Sequence, residues 1–193
     1  MGRLLLNSRG LNTKTGCLQI SEKLKGMTLN DKKMFIVSYT PYGVDERIVE
    51  NCIEILGFRR ENLFLSVYGI PKNVIPDFIY VTEGNTFEIL KYMQDNQFID
   101  YIRVLMKNSE TTYIGSSAGA IIAGTDIMLA RDDNYIGMRN YSALHLFEGT
   151  ILPHCEPEQL KEYIDNSDGY FMKHYSRILS VSNTDVLDMM AEN

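Results

Sequence analysis

The stretch Thr111-Thr112-Tyr113-Ile114-Gly115-Ser116-Ser117-Ala118-Gly119-Ala120-Ile121-Ile122-Ala123 decides the fold. A β-branched and aromatic run, a Gly-x-Ser-x-Gly pentapeptide and an alanine-isoleucine run follow one another without a break, the order of a strand, a sharp turn and a helix. Glycines two residues either side of Ser117 let the backbone turn tightly, so the serine stands at the strand tip with its hydroxyl exposed. The helix behind it points its free N–H groups at the same spot, and that of Ala118 becomes an oxyanion donor. The competing reading is a glycine-rich turn of small residues chosen only for close packing; the correct flanking elements weigh against it.

Working outward, short apolar runs alternate with helical patterns, as in a mostly parallel sheet with helices on both faces. Strands are predicted at Leu4–Asn7, Met34–Tyr39, Asn62–Val67, Phe78–Val81, Ile127–Ala130, Thr150–Leu152 and Ile178–Ser182. Helices are predicted over Lys14–Leu24, from a cap at Asp45 to about Leu56, over Thr86–Gln94 and Ile99–Lys107, and over Glu156–Ile164 behind Pro157. Thr40-Pro41-Tyr42-Gly43 reads as a loop. With no repeat or long linker, the 193 residues read as one domain able to bury a full core.

Composition excludes several functions. With 19 Lys and Arg against 25 Asp and Glu, the net charge of -6 argues against a nucleic-acid surface, so small molecules or peptides are the expected partners. Cys17, Cys52 and Cys155 form neither a C-x-x-C pair nor a His-Cys ligand cluster, which points to a reducing cytoplasm without disulfides or zinc. The apolar run Leu4-Leu5-Leu6 is far too short for a signal peptide or membrane span. The 12 tyrosines would support a homodimer or rim an active site equally well.

In an open parallel sheet, chemistry collects at the carboxyl ends of the strands. Three strand ends matter: Thr82-Glu83-Gly84-Asn85-Thr86, Ser117, and Pro153-His154-Cys155. A serine hydroxyl needs a base to take its proton, and histidine is the usual one. Of three histidines, His154 sits at a strand end after a proline, where its ring can be aimed at the elbow; His145 and His174 are the alternatives.

Tyr80-Val81-Thr82-Glu83-Gly84-Asn85-Thr86-Phe87, Tyr113 to Ala120, and Leu152-Pro153-His154, in that order and spacing, resemble the peptidase E family of serine peptidases. That family includes aspartyl dipeptidases and is related to cyanophycinases. The resemblance runs from the first strand to about Leu187. It implies a three-layer α/β/α sandwich like class I glutamine amidotransferases (flavodoxin-like), a nucleophile at Ser117 and a base at His154. It further implies an oxyanion hole from Ala118 and the turn of Gly84 and Asn85, and no metal or organic cofactor.

A carboxylate is expected to hold the far side of the histidine. Asp132, fifteen residues after the nucleophile, matches the spacing at which the family carries a functional aspartate; Asp185, after the last predicted strand, matches an acidic residue that related sequences carry after the histidine. Both stay open, and either would also serve as an ordinary turn carboxylate.

Two departures limit what the resemblance implies. Glu83 stands where the family usually has glycine, and its charge near an oxyanion would oppose catalysis. The chain also ends at Asn193 where relatives continue as a further strand or hairpin, so a shortened or differently packed domain end is expected. The reading is a serine-type peptidase of short peptides working through an acyl-enzyme. Its rivals are a silent relative that binds a small peptide or metabolite, and an esterase of the α/β-hydrolase type, since Ser117, Asp132 and His154 occur in that order. Arg131 and Arg139 are candidate grips for a substrate carboxylate, and equally plain surface charges.

Overall fold

The computed structural model describes residues 2–39, 45–108, 110–167 and 169–192; the loop read at Thr40–Gly43 lies outside them. Its frame is a six-stranded sheet of β1 (Arg3–Asn7), β2 (Met34–Val37), β3 (Leu63–Leu65), β4 (Phe78–Val81), β5 (Thr112–Ser116) and β8 (Val186–Met190) in the order β3-β2-β4-β5-β1-β8. All pairings are parallel except that of β8 with β1. A separate parallel pair joins β6 (Thr150–Pro153) to β7 (Ile178–Val181).

The period-two arithmetic of the strands sorts the core onto two faces. Leu4, Leu6, Phe35, Val37, Ile79, Val81 and Tyr113 face α3 (Thr86–Asp95), α4 (Phe98–Asn108) and α5 (Ala118–Ile122). Leu5, Met34, Ile36, Phe78, Tyr80 and Ile114 face α1 (Lys14–Lys23) and α2 (Glu46–Glu54). Because both faces are covered, the inner strands are apolar without alternation, as continuous runs such as Met34-Phe35-Ile36-Val37 foretell. The result is the expected three-layer α/β/α sandwich. A further small cluster of Leu129, Leu152, Cys155, Tyr175 and Ile178 packs β6 and β7 against α6 (Pro157–Asp165).

Topology places the site. From β1 the chain departs through α1 on one face, and from the adjacent β5 through α5 on the other, so the crevice between their carboxyl ends is a topological switch point. Among the described residues no helix is long and apolar enough to cross a membrane.

The structure corrects two sequence expectations. Ile127–Ala130 is not a strand; it is a turn segment beside the isolated bridge of Asp126 with Ser142, and Ile127 and Leu129 are buried as loop residues. A short apolar run in this region satisfies the strand pattern without finding a ladder partner. Secondly, two elements were not expected from the sequence: the edge strand β8 in the closing stretch, and α7 (Tyr170–His174), which precedes β7. Strand β8 escapes the sequence pattern because one face is half exposed and Asp188 interrupts it.

That aspartate is an anchor. Arg3 on β1 donates from Nε to Asp188 Oδ1 (2.8 Å) and from Nη2 to Oδ2 (2.7 Å), a two-pronged pair across the antiparallel ladder. The guanidinium hydrogen bond holds the Asp188 carboxyl below its ordinary pKa, against a smaller opposing effect of burial. A depressed carboxylate pKa stabilises the fold above its unfolded value, and the stabilisation is lost as pH falls through the folded value. Asp188→Asn is therefore expected to lower the melting temperature at pH 7, and the difference from wild type should close on acidification, as a pH series of thermal melts would record.

Candidate active site

The elbow is built from contacts that leave no room for larger side chains. A Cβ on Gly119 would lie 2.1 Å from Val81 O, and one on Gly115 2.5 Å from Gly119 O, so β4, β5 and α5 approach as closely as they do only with glycine at both places. Ser117 itself sits at φ 50°, ψ −106°, a sparsely populated backbone region that the surrounding ladder enforces. Its N–H donates to Asn7 O (2.9 Å), and the hydroxyl of the preceding Ser116 donates to Asn7 Oδ1 (2.7 Å), which fixes the turn to the end of β1.

Ser117 Oγ lies 3.1 Å from His154 Nε2. His154 follows β6 at a positive φ of 56°, and its N–H donates to Ser8 Oγ (2.8 Å), whose hydroxyl donates in turn to Val181 O (2.8 Å) on β7. The far ring nitrogen, Nδ1, lies 2.7 Å from Asn183 Oδ1. An amide oxygen only accepts, so this contact selects the tautomer with the proton on Nδ1 and leaves Nε2 able to accept from the serine. Asn183 is held in turn: its carbonyl accepts from Gln19 Nε2 (2.9 Å) and Arg9 Nε (3.2 Å).

At the first turn of α5, the Gly119 N–H is taken by Thr82 O (3.2 Å) and that of Ala120 by Ser117 O (2.9 Å). Among the described residues the Ala118 N–H, next to Ser117, has no such acceptor. Facing it, the turn after β4 holds Gly84 at φ 145°, where a side chain would be strained. This turn is clamped from two sides. Glu83 Oε2 accepts the Gly10 N–H (2.9 Å) in the loop after β1, and Asp132 Oδ2 accepts the Thr86 N–H (2.9 Å) together with the Thr86 hydroxyl. The Asn85 side chain caps α3 through Phe87 N–H (3.0 Å) and Glu88 N–H (3.2 Å) and donates to Asp133 O (3.0 Å).

A cavity of about 310 Å³ opens beside His154, lined also by Arg131, Cys155 and residues of α6. A cavity of about 660 Å³, bordered by Arg103, Phe147 and Glu192, lies at the opposite end of the strands, where Ala191 leaves β8 beside Gly2. Volume does not decide between them, because the amino ends of parallel strands are not where this architecture gathers functional groups.

The model of peptidase family S51 matches residues 4–187. The chain belongs to that family. It is thus a hydrolase of a peptidase family, 31% identical over 161 residues to peptidase E of Haemophilus influenzae strain Rd, with 80% of this chain and 73% of that one covered. Against peptidase E of strain PittGG it is 32% identical over 164 residues, covering 80% and 68%. Its fold is shared with a solved structure from Listeria monocytogenes, at a TM-score of 0.64 and 23% identity over 100% of both chains. A peptidase from an acI-B1 actinobacterium gives a TM-score of 0.65 at 13% identity, over 100% of this chain and 85% of the other.

In this S51 chain the two carboxylates expected behind the histidine are elsewhere. The Asp132 carboxylate holds Thr86, and Asp185 Oδ2 accepts from Ser182 Oγ (2.8 Å), while the His154 Nδ1 position is filled by Asn183. The remaining histidines have other partners: His145 pairs with Glu148, and His174 donates to Tyr170 O (3.0 Å). Asn183 escapes sequence reasoning because a search for a relay partner looks for carboxylates; the signal present is its place two residues after β7, beside β6 and His154. Glu83, expected to disturb an oxyanion, is hydrogen-bonded to Gly10.

Asp132→Ala should separate support from relay. Thr86 is fully buried, so losing its acceptor is expected to lower stability by about 1–3 kcal/mol in urea unfolding. Labelling of Ser117 by a fluorophosphonate should slow while keeping the shape of its pH dependence, because Asp132 does not touch the histidine.

Proposed function

We propose that this S51 member is a serine-type peptidase of short peptides, acting through an acyl-enzyme on Ser117. The observation that carries the reading is the Ser117 Oγ to His154 Nε2 contact of 3.1 Å at a strained elbow, with the imidazole oriented from behind by Asn183. In this mechanism the Ser117 hydroxyl donates to Nε2 and loses its proton to His154 as Oγ bonds to the substrate carbonyl carbon. The Ala118 N–H and the Gly84 turn receive the oxyanion. The imidazolium then protonates the leaving amine as the C–N bond breaks. Water enters, gives a proton to His154 and attacks the ester carbon; the acid leaves and Ser117 regains its proton.

Asn183 supplies orientation without charge. A carboxylate would also stabilise the imidazolium electrostatically, so a serine-histidine-asparagine set keeps the tautomer and forgoes part of that stabilisation. Short substrates fit the size of the cavity beside His154. The three buried, free cysteines suit a reducing cytoplasm.

Purified protein should label with a fluorophosphonate probe, and Ser117→Ala and His154→Ala should abolish labelling. In a dipeptide screen, Asn183→Leu is expected to lower kcat on the order of 10²-fold, whereas Asn183→Asp, which restores a charge beside the imidazolium, should raise it. A well-folded wild type that neither labels nor cleaves any dipeptide would overturn the reading in favour of a silent binding relative.

A further inference from the structure

The cavity beside His154 carries a chemical assignment of its own, which rests on the peptidase reading above. A histidine that accepts the serine proton delivers it to the departing amine, so space bordered by that ring lies on the leaving side of the scissile bond. The cavity is bordered by His154 and Cys155, by Gln159, Glu162, Tyr163 and Asn166 of α6 and its end, and by Arg131. About 310 Å³ is at the low end of ligand sites and suits one residue, not a continuing chain.

Arg131 is the cation of this lining. Its guanidinium carbon lies 5.5 Å from the centre of the Tyr163 ring, a stacked placement that steadies the side chain while leaving its N–H edge free to meet a planar anion. The ion pairs among the described residues do not include Arg131. Its charge is felt toward the histidine side of the cavity: burial raises the pKa of the Cys155 thiol, next in sequence to His154, and Arg131 pulls it back down. The Gln159 side-chain oxygen is already engaged, accepting the Glu156 N–H (2.9 Å). Glu162 is the carboxylate of the lining, and it disfavours a second negative charge in the same space.

We propose that Arg131 binds the terminal carboxylate of the residue released from the substrate, so that the enzyme measures the distance from the scissile bond to the peptide's carboxyl end. Arginine meets a carboxylate through two parallel N–H donors. The ligand class is a peptide ending one residue beyond the cleaved bond, with an uncharged or basic final side chain. Length selection then comes from the leaving side, independently of whichever residue donates the acyl group. The contact is broken once the amine departs, so it acts on acylation and not on hydrolysis of the acyl-enzyme.

The test uses the full chain and matched substrates. Dipeptides X-Ala are screened over X, and each one cleaved is compared with its C-terminal amide, X-alaninamide, in wild type, Arg131→Met and Arg131→Lys. Wild type is expected to prefer the free carboxylate by about tenfold or more in kcat/KM, chiefly through KM. Arg131→Met should bring that ratio near one by slowing the free dipeptide much more than the amide, and Arg131→Lys should keep part of it as a point charge. Fluorophosphonate labelling, which has no carboxylate to recognise, should be the same in all three proteins. Equal rates on acid and amide in wild type, or a preference that survives in Arg131→Met, would overturn the assignment while leaving the peptidase reading intact. Absence of any cleavage or labelling in wild type would remove both.

Discussion

Everything at this site hangs on one ladder, the parallel pairing of β1 with β5 that sets Asn7 opposite Ser116. Because the strands end side by side, the four residues after Leu6 reach every part of the candidate machinery. Asn7 receives Ser116 and Ser117, Ser8 receives the backbone of His154, Arg9 reaches the carbonyl of Asn183, and Gly10 donates to Glu83. A one-residue slip would turn Leu4 and Leu6 to the wrong face and undo all of these contacts at once. Burial of the alternating leucines thus specifies the geometry of groups that are not themselves apolar.

The same loop explains how the Ser117 hydroxyl at the end of β5 meets the His154 imidazole of the separate β6–β7 pair. Among the described residues those two strands share no ladder with the main sheet, so side-chain and backbone bonds outside the ladders must set their position. Ser8 stands between His154 N and Val181 O, which fastens both strands of the pair to β1 at their carboxyl ends. Residues that a pattern reading would pass over as a polar turn are the joint between two sheets.

Much of this was legible in the sequence. The strand–Gly-x-Ser-x-Gly–helix order has few other physical solutions, the continuous apolar runs required a sheet covered on both faces, and His154 after Pro153 lay at a strand end. Missing were the features decided by tertiary position. Ile127–Ala130 carries an apolar pattern that packing satisfies without a ladder, and β8 is a half-exposed edge held by Arg3. The residue behind His154 could not be read from charge, because Asn183 has none; only the proximity of the β7 end to the β6 end brings it there. Asp132 and Asp185 looked suitable because carboxylates are suited to the task, yet each meets a nearer demand for an acceptor, Asp132 at the start of α3 and Asp185 at Ser182.

Glu83 shows why a departure from a family pattern has to be weighed by where its atoms go. A glutamate at a position favoured for glycine suggests lost backbone freedom and an unwelcome charge. Here the residue that needs the unusual backbone is its neighbour Gly84, at φ 145°, and the Glu83 carboxylate accepts a backbone N–H from across the crevice. With Asp132 gripping Thr86 on the other flank, the turn is held at both ends, at the two residues that directly flank Gly84–Asn85. An oxyanion site works when its donors are already placed before charge develops. Two carboxylates that first looked like a defect and a relay member act together as clamps on the Gly84 turn, and the charge-neutral Asn183 stands at the Nδ1 side of the imidazole.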